Sequence, residues 1–335
     1  MKKIHLYILL IIVVLFTLPT FVTKYKESKV VPTSNTAVKQ TQEKKSEDEE
    51  CNIQISIQGE NKEYPLEEYI VGVVAAEMPA SFDLEALKAQ SIASRTFALK
   101  RTNFGENTIE PNVSAQAFAD EERRKKDWGI NFKKNEKKIR KAVQATKGQV
   151  LVYKDELITA MFFSTSNGQT ESAKSYSGQS IPYLQSVSVP SNEKKSPRYH
   201  TSYSFTLQQW NAVFNQQWTK AQIQNVKIYR NNSGRVETIK TGDFQWSGRE
   251  VREKLQLAST DFNIIWNDKK KIIQVNATGY GHGVGMSQYG ATALAEKGAN
   301  AKEILQHFYQ HVKIEKLKKS SSLCLNSQAI DNNSK

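Results

Sequence analysis

The sequence predicts an α+β protein: an N-terminal transmembrane helix followed by an ectodomain of helices mixed with antiparallel hairpins. Three observations carry this reading. The first twenty-odd residues include a long run almost without charge, residues 64–101 show helical periodicity, and pairs of short β-rich runs flank turn sequences without a regular βαβ alternation.

Residues 4–23, IHLYILLIIVVLFTLPTFVT, match the ~30 Å hydrocarbon core of a bilayer if helical. Lys2 and Lys3 precede the run and no small-x-small cleavage pattern follows it, so the positive-inside bias leaves residues 1–3 in the cytoplasm and exports the rest. A cleaved signal peptide ending near Pro19 and Thr20 is the alternative, and it also exports the remainder. Residues 24–50 are polar and charged, too poor in apolar side chains to repay ordering, and read as a disordered linker. A folded domain is expected over residues 51–318, with a polar tail over 319–335. The net charge of +13 suits a polyanionic surface such as a cell-wall polymer or lipid head groups. Export argues against nucleic acid, and the interleaving of aromatic and basic residues that single-strand binding uses is not found. Cys51 and Cys324 frame the domain without metal-ligand spacing; a disulfide closing the domain and two free thiols both remain open.

Within the domain, Ile70, Val73, Val74 and Glu77 fall at i, i+3, i+4 and i+7, one face of a helix over residues 64–78 that Pro79 stops. Asp83 is placed to cap a second helix, LEALKAQSIASRTFALKR, whose Lys88, Ser91 and Arg95 form a polar stripe. A lysine-rich helix is expected over 133–147. QVLVY and LITAMFF around the turn KDE read as a hairpin, as do VKIYR and RVETI around NNSG, and FNIIW and KIIQVNA around NDKK. LQSVSV reads as a strand. FTLQQWNAVF, REVREKLQL, GATALAEKG and KEILQHFYQH read as helices.

Glu77 is the first candidate for chemistry. Burial on the apolar face and the negative end of the helix dipole both disfavour its ionised form, and a carboxyl kept neutral can donate a proton to a leaving oxygen. The structural alternative is an ion pair with Lys88 or Arg95 that locks the two helices together. Lys88 and Arg95, seven apart, could steady a substrate oxygen or form an ordinary solvated face. The loops TSNGQTES and TGYGHGVGMSQYG are rich in small hydrogen-bonding residues that let backbone approach a polar ligand such as a sugar, or make plain turns. The second loop lacks both the dinucleotide fingerprint and a phosphate-loop Gly-Lys-Ser/Thr, so no nucleotide cofactor is expected. His307 and His311 sit at i and i+4 without a third ligand nearby, so no metal is expected. His282, between glycines, is either free to face a cleft or a buried group bonding its own loop.

VVAAEMPASFDLEALKAQSIASRTFALK, TSNGQTES and GYGHGVGMSQYGA, in this order over about residues 55–315, resemble the stage II sporulation protein D and amidase enhancer family. The resemblance implies a lytic transglycosylase that cuts peptidoglycan glycan strands between N-acetylmuramic acid and N-acetylglucosamine during forespore engulfment. It implies that Glu77, in the AAEMP block, is the catalytic acid. It further implies substrate-binding or supporting roles for Lys88, Arg95, Thr170 and Tyr183, and a cleft-shaping role for His282, Ser287 and Gln288. A membrane-bound peptidoglycan amidase and a polytopic membrane protein are the partners it implies, at the mother-cell membrane facing the forespore. One carboxyl suffices if Glu77 protonates the glycosidic oxygen and then deprotonates the muramic acid 6-hydroxyl, which closes a 1,6-anhydro ring. The rival reading is a non-catalytic wall-binding module that activates a partner amidase. The lysine-rich segment ERRKKDWGINFKKNEKK departs from the family blocks and bears on partners and localisation.

Overall fold

A proline marks the passage from the first hairpin to the first helix. Strands β1 (Gln54–Ser56) and β2 (Glu63–Pro65) pair antiparallel, and α1 (Leu66–Glu77) follows at once, with Glu67 and Glu68 in the first turn where the helix dipole favours acid. Tyr69, Ile70, Val73 and Val74 are wholly buried, so α1 buries the face its periodicity marks. Each large side chain contributes roughly 1.5–3 kcal/mol by leaving water. Glu77 is the last helical residue, and Met78 turns to extended backbone ahead of Pro79. Asp83 caps α2 (Leu84–Thr102) by accepting from the amide of Glu85 at 2.8 Å. The stripe on α2 is not a solvated face: Ser91 and Arg95 are fully buried, because α1, the helix α4 and a strand β3 (both below) pack around α2.

These observations come from a computed structural model that describes residues 51–112 and 115–317. The expected cytoplasmic residues, membrane span, linker and polar tail lie outside the described residues, as does Cys324. Among the described residues no helix is long and apolar enough to cross a membrane. Cys51 is disulfide-bonded, which excludes two free thiols. The described residues belong to one compact unit, Glu47–Lys335. Among the described residues its apolar cores are built from residues 53–317, so the unit has an interior of its own.

The remaining elements are α3 (Glu121–Trp128), α4 (Phe132–Ala145), β3 (Gln149–Tyr153), β4 (Glu156–Leu157), β5 (Phe162–Phe163), α5 (Ala173–Ser177), β6 (His200–Phe205), α6 (Leu207–Phe214), α7 (Lys220–Gln224), β7 (Lys227–Arg230), β8 (Val236–Thr241), β9 (Phe244–Ser247), α8 (Gly248–Leu255), β10 (Phe262–Asn267), β11 (Ile272–Thr278), β12 (Met286–Ser287), α9 (Gln288–Ala295), α10 (Ala301–Phe308) and β13 (Lys313–Lys316). The class is α+β. Three antiparallel sheets have the orders β13-β3-β4, β10-β11-β6 and β7-β8-β9, and a short parallel pair joins β5 to β12.

Three expectations change. LITAMFF is not one strand: only its Leu157 belongs to β4, which pairs with β3 through Glu156 and Leu157, and Phe162–Phe163 pairs instead with Met286–Ser287. The turn itself is a two-residue one, with Lys154 and Asp155 both at positive φ. LQSVSV forms no strand, but its backbone bonds Gly168 and Thr170. The lysine-rich helix has a partner, α3, which the sequence pattern did not show because its mostly charged residues present no apolar stripe.

The apolar interior divides in two. The larger core gathers α1, α2, α4, β3 and α10 around Ile70, Val74, Leu87, Ile139, Leu151 and Phe308. The smaller gathers α6, β8, α8, β10 and β11 around Trp210, Phe214, Trp218, Val251, Phe262 and Val275. The glycine-rich loop after β11 returns the chain from the second core to the first. Gly285 is required there: it sits at φ +79°, and a Cβ would lie 2.0 Å from the Met161 carbonyl oxygen.

Candidate active site

A cleft of about 950 Å³ opens at the seam of the two cores. One wall carries Glu77, Phe97, Met161 and Phe163; the other carries Tyr203, Arg252, Leu257 and Ala258. Tyr280, Gly281, His282 and Gln288 reach it from the glycine-rich segment. Among the described residues lining it, Glu77 is the sole carboxyl group.

Local packing sets the position of Glu77. Gly72, five residues earlier on α1, lets the segment before α3 lie directly on the helix, since a Cβ there would meet Phe118 at 2.3 Å. The ring of Phe118 stacks on Tyr69 with centroids 5.4 Å apart, and Ala119 N donates to the Gly72 carbonyl at 3.2 Å. This brings the amide of Ala117 to Glu77, where it donates to Oε1 at 2.8 Å. Gln288, the first residue of α9, also donates to the Glu77 carboxyl. Burial pushes the Glu77 pKa up from its ordinary value; these two hydrogen bonds oppose the shift without cancelling it.

The ion-pair alternative for Glu77 is not what the structure holds. Lys88 Nζ bonds Glu85 at 2.6 Å, one helical turn away, and Glu85 also receives the amide of Ala301. Arg95 is fully buried, paired through two nitrogens with Glu67 at 2.9 and 2.6 Å, and it donates to the Gln149 carbonyl at 3.0 Å. Neither cation reaches Glu77, and neither lines the cleft. Arg95 ties α1, α2 and β3 together, with nothing of its guanidinium exposed.

Thr170 and Tyr183 also lie behind the cleft. The Thr170 hydroxyl accepts from the Val187 amide at 2.8 Å, and the Tyr183 hydroxyl accepts from the Thr159 amide at 3.1 Å, so both steady the loops that carry β5. Ser287 caps α9 through the Gly290 amide at 3.1 Å and donates to Glu193 at 2.9 Å. His282 does line the cleft. Its Nδ1 accepts from the Val284 amide at 3.1 Å, so Nε2 carries the proton and donates to the Phe162 carbonyl at 3.0 Å. Burial and the positive charges of Arg252 and Arg235 depress its pKa to about 4, which makes it a neutral brace between the glycine-rich loop and β5. Of the eight residues singled out from the sequence, the structure brings Glu77, His282 and Gln288 together at the cleft. His307 bonds the Ser188 carbonyl at 2.8 Å, and His311 lies beyond the end of α10.

Sequence reasoning missed several residues that shape the site. Arg252 on α8 lines the cleft, its pKa lowered chiefly by burial. Arg198 lines it as well, donating to the Tyr280 hydroxyl at 2.7 Å with its guanidinium 4.9 Å from that ring. Tyr176, Tyr203 and Tyr280 supply aromatic surface to the same cleft. Glu193, buried, accepts from the amides of Ser166 and Gly168 and from the hydroxyls of Ser166 and Ser287, joining the loop TSNGQTES to the start of α9. The helix REVREKLQL was legible, but no periodicity distinguishes Arg252 from its charged neighbours, and nothing in SNEKK marks Glu193 as buried.

A cleft with one carboxyl held toward its neutral form, flanked by aromatic rings and guanidinium groups, suits a polyhydroxylated substrate that carries negative charge. A family profile described as Stage II sporulation protein matches residues 57–153. Stage II sporulation protein D of Bacillus amyloliquefaciens is 40% identical over 258 residues, covering 75% of this chain and 74% of that protein. The protein of the same name from Bacillus subtilis (strain 168) is 39% identical over 257 residues, with the same shares covered. An amidase enhancer of Bacillus subtilis (strain 168) is 27% identical over 295 residues, covering 71% of this chain and 39% of that protein.

Proposed function

As this chain belongs to the stage II sporulation protein D family, we propose that it is a membrane-anchored lytic transglycosylase that cleaves the N-acetylmuramic acid–N-acetylglucosamine bonds of peptidoglycan glycan strands during sporulation engulfment. The observation that carries this reading is the state of Glu77: a carboxyl on the cleft wall, hydrogen-bonded by Ala117 and Gln288, without a cationic partner among the described residues and with its pKa raised by burial.

The chemistry requires one group that gives and then takes a proton. In its neutral form Glu77 protonates the glycosidic oxygen as the bond to the muramic acid anomeric carbon breaks. The resulting carboxylate removes the proton of the 6-hydroxyl, whose oxygen bonds to that carbon and closes the 1,6-anhydro ring. No water is consumed and the carboxyl ends protonated, as it began. A hydrolase of the usual kind needs a second carboxyl about 5–9.5 Å away, and the described lining of the cleft offers none. Arg198 and Arg252 would hold the anionic groups of the substrate, and Tyr176, Tyr203 and Tyr280 would stack on sugar faces.

A membrane-bound peptidoglycan amidase and a polytopic membrane protein of the engulfment complex are the proposed partners, with the chain held in the mother-cell membrane and its cleft outside the cytoplasm. The likeness to an amidase enhancer favours a second reading, a peptidoglycan-binding module that activates an amidase without cutting. Incubating residues 47–335, wild type and Glu77→Gln, with peptide-free glycan strands and reading the products by mass spectrometry separates the two. Anhydro-ended fragments from wild type alone support the enzyme. Binding by both proteins with cutting by neither, even with the amidase added, supports the activator.

A further inference from the structure

The segment that departs from the family blocks forms a rigid helical hairpin. Helices α3 and α4 are joined by a single turn, Gly129–Asn131, and their base is locked by charge. Arg124 binds Glu136 through two nitrogens at 2.9 Å each, and Arg140 bonds Glu136 at 2.7 Å and Glu68 of α1 at 2.6 Å. Because Arg124 and Glu136 are buried, α3 is held to α4, and the packing of α4 on α1 sets the orientation of the hairpin.

The far end of this hairpin is apolar. Ile130 is fully exposed at 102% of its reference area, the most exposed of the large hydrophobic residues described. Trp128 and Phe132, half-buried, flank it with ring centroids 6.3 Å apart. Exposed lysines surround them: Lys125, Lys126, Lys133, Lys134 and Lys137. Residues 121–141 hold ten Lys and Arg against four Asp and Glu, a net +6 of the chain's +13.

A single exposed isoleucine is ordinary. An exposed isoleucine between two aromatic rings, at the tip of a braced hairpin ringed by lysine, has the chemistry of a bilayer interface. Tryptophan favours the head-group level, the aliphatic tip enters the acyl boundary, and each lysine near an anionic surface contributes about 1 kcal/mol. An anionic polymer would engage the lysines but gain nothing from Ile130, so the tip selects a lipid surface. We propose that the Trp128–Phe132 tip docks on an anionic phospholipid bilayer and holds this domain against the membrane in a set orientation.

Flotation of residues 47–335 with phosphatidylcholine vesicles, with and without phosphatidylglycerol, tests this independently of the chemistry at the cleft. The wild type is expected to float with phosphatidylglycerol vesicles and to be released by salt. Ile130→Ser is expected to weaken binding about tenfold without lowering the melting temperature, since the side chain touches solvent alone. The triple variant Lys126→Gln, Lys133→Gln, Lys134→Gln is expected to weaken it about a hundredfold. Absence of flotation at low salt overturns the proposal. So does binding that Ile130→Ser leaves unchanged, which would show that charge alone acts and that the surface serves a soluble polyanion.

Discussion

The amide of Ala117 donates to Oε1 of Glu77 at 2.8 Å across forty residues of sequence. The bond depends on the absence of a side chain at Gly72, which lets the segment ahead of α3 run along α1 within reach of its last residue. The rotamer of the one carboxyl among the described residues lining the cleft is thus set by backbone that carries no chemistry of its own, and Gln288 adds a second donor from a segment more than two hundred residues away.

Burial holds the Glu77 pKa above its ordinary value of 4.5, so activity that needs the neutral acid extends to higher pH than an ordinary carboxyl allows and then falls about tenfold per pH unit. A raised carboxyl adds stability that is present below its unfolded pKa and is lost as pH rises through the folded one. Glu77→Gln should therefore melt no lower than wild type at neutral pH, with the gap closing as pH drops below 4.5. Thermal melts across pH check this; a Glu77→Gln protein that is less stable at neutral pH but equal to wild type in acid would have the sign reversed.

Gln288→Met removes a hydrogen bond that favours the charged form of Glu77. The alkaline limb of the activity profile should move to higher pH while the maximal rate drops about tenfold, as one of the two groups orienting the carboxyl is lost. A rate loss with no movement of the limb would mean that Gln288 acts only on substrate.

Arg252 separates binding from folding. Arg252→Gln is expected to lower kcat/KM on glycan strands about tenfold to a hundredfold, mostly through KM, with Arg252→Lys between it and wild type. Steady-state kinetics with melting curves of the same proteins decide it, since its one described backbone bond, from Nε to Leu257 O at 3.3 Å, is long.

Arg95 should behave in the opposite way. Arg95→Gln leaves the Glu67 carboxylate without its partner and is expected to cost about 3–5 kcal/mol in stability by denaturant unfolding. Any fall in activity should then track the folded fraction. A variant with native stability and a raised KM would restore the substrate-binding role that the family resemblance implies.

Much of the local structure is legible in the sequence. The α1 face, the Asp83 cap, and the hairpins around NNSG and NDKK all follow from periodicity, capping and turn chemistry, which act within a few residues. The parallel pairing of Phe162–Phe163 with Met286–Ser287 does not, because it joins segments over a hundred residues apart and each strand is too short to show a pattern.

The same division runs through the site. By itself the sequence determined the candidate acid, since only the helical phase and Pro79 were needed to place Glu77 at the end of an apolar face. Which cation would partner it, and which residues would face it, only the tertiary structure decided. Arg95 went to Glu67, Lys88 to Glu85, and Arg252 and Gln288 came to the cleft, because long-range packing determines which charges are buried together and which are left to meet a substrate.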